Sequence, residues 1–127
     1  MKGLLIDVHN AKIQEVEVSE LDDYYKWIGC ENIDITSRKI GGRIYDIICD
    51  DEGFFHDPVL VSAVDSEKNA MLVGNLIVMG NSDGDEILHG LSDEELKHLK
   101  KKLAVIGVER DKKITSVYMV LCNVEYL

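Results

Sequence analysis

Residues 33–49, IDITSRKIGGRIYDIIC, decide the fold. Two runs of strand-forming residues, 33–40 and 43–49, flank Gly41-Gly42. A Gly-Gly pair between such runs predicts a two-residue hairpin, because a type I′ turn needs positive φ at both central positions. That register sets Ile40 opposite Arg43, Arg38 opposite Tyr45, Ile35 opposite Ile48 and Asp34 opposite Cys49. Ile33, Ile35, Ile44 and Ile48 then share one face, and Ile40, Tyr45 and Ile47 the other. Both faces carry apolar residues, so the hairpin is expected at the centre of a sheet.

Upstream, 3–8 (GLLIDV) reads as a buried strand, and 12–18 alternates as its half-buried hairpin partner. Ser19, with Asp22 three residues on, is expected to cap a helix of about three turns. Its apolar stripe is Leu21, Tyr24, Tyr25 and Ile28, and Gly29 ends it. Downstream, 59–64 fits either a strand or a helical turn. Residues 71–79 (MLVGNLIVM) read as one buried strand with a bulge at Gly74. A second helix is expected over 92–106, opened by a Ser92/Glu95 capping box and closed by Gly107. Residues 114–127 read as a long strand. The implied class is α+β: a mainly antiparallel sheet of five or six strands with two α-helices packed on it.

At 127 residues the chain is expected to be a single domain. No apolar run approaches the roughly 20 residues needed to cross a bilayer, and no secretory leader follows Met1. The cysteines, Cys30, Cys49 and Cys122, are odd in number and widely spaced. This argues against a disulfide framework and for a reducing, cytoplasmic setting. No zinc motif, phosphate loop or nucleophile elbow is present. Asn81, Asp83 and Asp85 miss the calcium-loop pattern, because Gly84 comes too early. Cys49 and His56, with carboxylates between them, supply donor types for a metal ion such as zinc, at a spacing that matches no motif. The ordinary reading is a buried thiol and a solvated imidazole, with no cofactor.

Charge is the strongest functional signal. The chain has 24 acids against 14 Lys+Arg, a net charge of -10 and a pI near 4.7. Residues 1–90 carry 18 acids and 7 bases, and residues 91–127 carry 6 and 7. Such a chain disfavours general polynucleotide binding. Glu15, Glu17, Glu20, Asp22 and Asp23 form one acidic group, with Trp27 beside them as a candidate anchor. Asp50, Asp51, Glu52 and Asp57 form a second. The plain reading is a solvated acidic surface. The functional one is a surface that meets a basic channel on a partner.

The segments MKGLLIDVHNAKIQEVEV, YYKWIGCENIDI, GGRIYDIICDDEG and MLVGNLIVMG occur in that order. With their Ile-Gly-Cys and Asp-Asp-Glu-Gly signatures, they resemble a small domain family of unknown function found in phages, plasmids and conjugative elements of Gram-positive and gut bacteria. The resemblance covers about residues 1–80, with 81–127 as an extension, and it brings no catalytic residues. What it implies is the company of mobile elements, whose small acidic proteins often act in counter-defence. Three expectations follow. The first is a non-catalytic, anti-CRISPR-like inhibitor of a bacterial immune nuclease such as a Cas9-type effector, mimicking nucleic acid and binding none itself. The second is a homo-oligomeric accessory module, such as a homodimer joined through the strand at 114–127. The third is a metal-binding or hydrolytic protein.

Overall fold

The structure, a computed structural model, describes residues 1–10, 12–53, 61–64, 70–82, 88–110, 113–121 and 125–126. The elements run β1 (Lys2–Asp7), β2 (Lys12–Glu17), α1 (Leu21–Ile28), β3 (Ile33–Ile40), β4 (Arg43–Asp50), β5 (Val61–Val64), β6 (Ala70–Val73), β7 (Leu76–Gly80), α2 (Asp93–Lys102), β8 (Leu103–Arg110), β9 (Lys113–Leu121) and β10 (Glu125–Tyr126). The fold is α+β. A six-stranded sheet has the order β10-β3-β4-β7-β1-β2, and every pairing within it is antiparallel. A second, four-stranded sheet has the order β6-β5-β9-β8 and contains one parallel pairing, β5 with β9.

The β3–β4 register matches the hairpin expectation at all four anticipated pairs. Gly41 and Gly42 both take positive φ, 56° and 84°. β4 is an interior strand between β3 and β7, as its two apolar faces require. On one face Leu5, Ile48, Ile77 and Met79 pack under Tyr24 and Ile28 of α1. On the other, Leu4, Ile6, Tyr45, Ile47, Leu76 and Val78 pack against Leu96 and Leu99 of α2 and Ala63 and Leu72 of the second sheet. The large sheet is thus the middle layer, buried on both sides.

The second sheet has no counterpart in the sequence reading, and several boundaries move because of it. Residues 71–79 are two strands, not one. Gly74 (φ 73°) takes the chain from β6 in one sheet to β7 in the other. Asn75 anchors this crossing: its Oδ1 accepts the Val8 N–H at 3.0 Å, and its Nδ2 donates to the Trp27 carbonyl at 3.4 Å. β5 settles the open reading of 59–64 as a strand at Val61–Val64.

The second helix stops at Lys102, four residues short of the expected end. Leu103 turns extended (φ -96°, ψ 136°), and the β-branched run behind it pairs with β9 from Leu103↔Leu121 to Arg110↔Lys113. Gly107 therefore sits inside β8, opposite Val117, rather than at a helix end. The C-terminal run is also divided, since β9 stops at Leu121 and β10 joins the other sheet. β9 is an interior strand between β8 and β5, which leaves less of it open as a dimer edge than the sequence suggests.

At the start of α1 the cap is Glu20, not Ser19. Asp23 stands at N3 from Glu20 and accepts the backbone N–H groups of both Glu20 and Ser19, at 3.0 and 2.8 Å. The capping box of α2 is as expected, with Ser92 Oγ accepting the Glu95 N–H and the Glu95 carboxylate accepting the Ser92 N–H.

One contact locks α2 to the hairpin. The fully buried Tyr45 places its hydroxyl 2.7 Å from His98 Nδ1, while His98 Nε2 lies 3.0 Å from the Gly41 carbonyl. A carbonyl only accepts, so Nε2 carries the proton and Nδ1 accepts from Tyr45. A Cβ on Gly41 would stand 2.8 Å from Lys102 Cγ and 2.9 Å from His98 Nε2. Tyr45→Phe is expected to cost about 1 kcal/mol for the lost hydrogen bond. Gly41→Ala is expected to cost more than about 1 kcal/mol, adding the clash with α2 to the strain of positive φ. Urea unfolding of both variants measures these losses.

Candidate functional surface

The two acidic groups occupy different places from those their order in the chain suggests. Glu15 and Glu17 lie on β2 opposite Leu4 and Lys2, and so point to the α2 side of the large sheet. Glu15 is joined to Lys100 of α2 at 2.7 Å, and that ammonium, by hydrogen bond and charge, holds its carboxyl below the ordinary carboxylate range. Glu17 lies 3.4 Å from the terminal ammonium of Met1.

Glu20, Asp22 and Asp23 sit at the N-terminus of α1, on the opposite side, where the helix dipole favours negative charge. Asp23 is occupied by capping. Hydrogen bonds from Ser19 and Glu20 push its carboxyl below its ordinary 3.8. Glu20 and Asp22 are exposed. Trp27 is half-buried against the α1-side core, with the Lys26 ammonium 5.4 Å over its ring. Tyr24 is a core residue, and its buried hydroxyl has no hydrogen-bond partner among the described residues.

Asp50 ends β4 opposite Ile33 and faces the α1 side. Its carboxylate accepts the Glu52 N–H at 2.8 Å, and the Asp51 N–H donates to the Asn32 carbonyl at 3.1 Å. Asp51 and Glu52 are exposed. The second group therefore lies beside the α1–β3 connection, together with the exposed Glu31. The two ends of α1, about 12 Å apart for eight residues, each carry acid. Exposed lysines 97, 100 and 101 belong to α2, on the far side of the sheet.

The metal reading divides across the sheet. Cys49 is buried on the α2 side, its Sγ 3.7 Å from the Asp34 carbonyl, whereas Asp50, the next residue along the strand, faces α1. Burial, then the charges of Asp34, Asp50 and Asp51, pushes the Cys49 thiol up to about 11. Burial and Asp50 raise Cys30 similarly, to about 11. His56 and Asp57 lie outside the described residues, as do Cys122 and residues 83–87. Among the described residues no three His, Cys, Asp or Glu side chains gather as a metal site. No described helix is long and apolar enough to cross a membrane.

Sequence reasoning missed the polar groups that hold this frame. Asp46 is 2 % exposed, accepting from Ser37 Oγ at 2.9 Å and from the Ser82 N–H at 3.1 Å. A lone acid in an otherwise apolar strand, 46 in IYDII, was the available signal. Nothing local pointed to the Tyr45–His98 pair, whose members are 53 residues apart.

Compared with known proteins, the chain matches the family DUF3846, a domain of unknown function, over residues 1–104. The matched span takes in α2, beyond the 1–80 of the sequence resemblance. No curated protein and no solved structure shows significant similarity to the chain.

The Asp23 cap generates a pH dependence. A carboxyl whose folded value is depressed stabilises the fold fully above its unfolded value, near 3.8, and loses that contribution as pH falls through the lower folded value. The difference in stability between the wild type and Asp23→Asn should therefore be largest above about pH 4.5 and shrink below it. Thermal unfolding followed by circular dichroism across that range checks this.

Proposed function

We propose that this chain, which belongs to the DUF3846 family, is a non-catalytic binding protein that inhibits a bacterial immune nuclease, such as a Cas9-type effector, by docking an acidic surface where nucleic acid would load. The observation that carries the reading is the placement of exposed acids at both ends of α1, with the exposed lysines of α2 on the other side of the sheet. A negative patch of this kind draws a basic channel from a distance and orients the encounter. Effectors of this type hold their heteroduplex in a positively charged channel. A setting in the bacterial cytoplasm, on a phage or other mobile element, belongs to the same proposal and rests on the sequence resemblance. Glu20, Asp22, Asp50, Asp51 and Glu52, with Trp27, are the proposed contact residues. Glu15 and Glu17, engaged on the other side, contribute less.

The test is a target-cleavage assay with purified effector nucleases, paired with association kinetics. Inhibition should appear when the protein is added before nucleic acid. The association rate should fall steeply as salt rises from about 50 to about 500 mM, because the Debye length shrinks to a few ångströms. The double variant Glu20→Lys, Asp22→Lys should slow association by about tenfold. Absence of both binding and inhibition across a panel of such nucleases would sink the proposal.

A further inference from the structure

Among the described residues, β3 has an open outer edge over 33–37: β10 pairs only with Arg38 and Lys39, and no strand lies against 33–37 on the side away from β4. The two-residue turn makes Ile40 and Arg43 a hydrogen-bonded pair, and such pairs alternate along an antiparallel ladder. Ile33, Ile35 and Ser37 therefore turn their N–H and C=O groups outward. Two contacts agree with this: the Ile35 N–H donates to the Asp34 carboxylate at 2.9 Å, and Arg38 Nη1 donates to the Ser37 carbonyl at 2.9 Å. The charged side chains of Asp34 and Arg38 thus occupy outward groups of the edge, and charge on an edge strand is a known way of keeping it from pairing at random. Beside it, Ile35 is 48 % exposed on the α1 face.

We propose that this edge accepts an extended, basic segment of a partner protein as an added strand, antiparallel to β3 and in line with β10. Strand addition takes its affinity from main-chain hydrogen bonds and its selectivity from alternate side chains. Residues opposite Ile33, Ile35 and Ser37 would lie over the apolar face. Those opposite Asp34 and Thr36 would lie on the other. The Ile33 end is acidic, with Glu31, Asp34, Asp50 opposite Ile33, and Asp51. A cation there draws the Asp34 carboxylate from the Ile35 N–H, which then bonds to the incoming strand. A second copy of the chain brings the same acids and a net charge of -10, so charge favours a basic partner over self-pairing. The inference stands whether or not that partner is a nuclease.

The probe is a blocked heptapeptide of alternating valine and lysine, with a valine–glutamate peptide as control, added to the isotope-labelled full chain. At about ten times Kd of the lysine peptide, amide exchange at Ile35 should slow about tenfold, and the control should do nothing. Ile35→Pro deletes only an outward donor, which edge strands tolerate, and should abolish binding with the circular dichroism unchanged. Ile35→Thr keeps strand propensity and should weaken binding several-fold should the proline variant not fold. Binding that survives these changes, shifts confined to the acids of α1, an equal response to the control, or concentration-dependent self-association through β3 would each overturn the proposal.

Discussion

The large sheet has two apolar faces, and the rest of the molecule depends on both being covered. Side chains alternate along β1, β4 and β7, so Leu5, Ile48 and Ile77 go to one core while Leu4, Ile47 and Val78 go to the other. Such a sheet specifies its own register weakly, because a one-residue slip exchanges one apolar set for another. Polar groups and turns set it instead. Gly41-Gly42 starts the β3–β4 ladder, Asp46 finds Ser37 and Ser82 only in one alignment, and Tyr45 reaches His98 only there. Gly3 adds a steric condition, since a Cβ would come within 2.8 Å of Met79 Sδ and 2.9 Å of Ile77 Cγ2.

The same layering sorts the charge. α1 is held to the sheet by Tyr24 and Ile28; Leu21, expected on the apolar stripe, is 57 % exposed instead, beside Asp22, Asp23 and Lys26. α2 carries its acids in the first turn and three lysines in the last, an arrangement favoured by the helix dipole. One lysine, Lys100, pairs with Glu15, which the β2 register already turns to the α2 side. Exposed ion pairs of this kind contribute little to stability. Their effect is local: Lys100 offsets the charge of Glu15 on the α2 side.

Much of the fold was legible because its signals are local. The Gly-Gly turn, the apolar run of β1, the alternation of β2 and the Ser92/Glu95 box each act within a few residues. The misread boundaries share a cause. At 71–79 and 92–106 the residues suit more than one state, and pairing partners elsewhere in the chain made the choice. Leu103 continues the stripe of α2 by spacing, and is buried as that stripe predicts, yet it belongs to a strand because β9 lies alongside. The candidate surface was half legible: the acids are plain in the sequence, but which side of the sheet each one faces is a matter of register and layer.

By itself, the sequence determined the class, the hairpin register, the helix starts to within a residue and the excess of acid over base, all consequences of short-range sterics and composition. Among the described residues, only the tertiary structure decided that the strands divide between two sheets, where α2 ends, which acids are tied to cations, and that the β3 edge lies open over 33–37. Those outcomes depend on contacts between residues tens of positions apart, where the free energy of pairing and burial outweighs local preference.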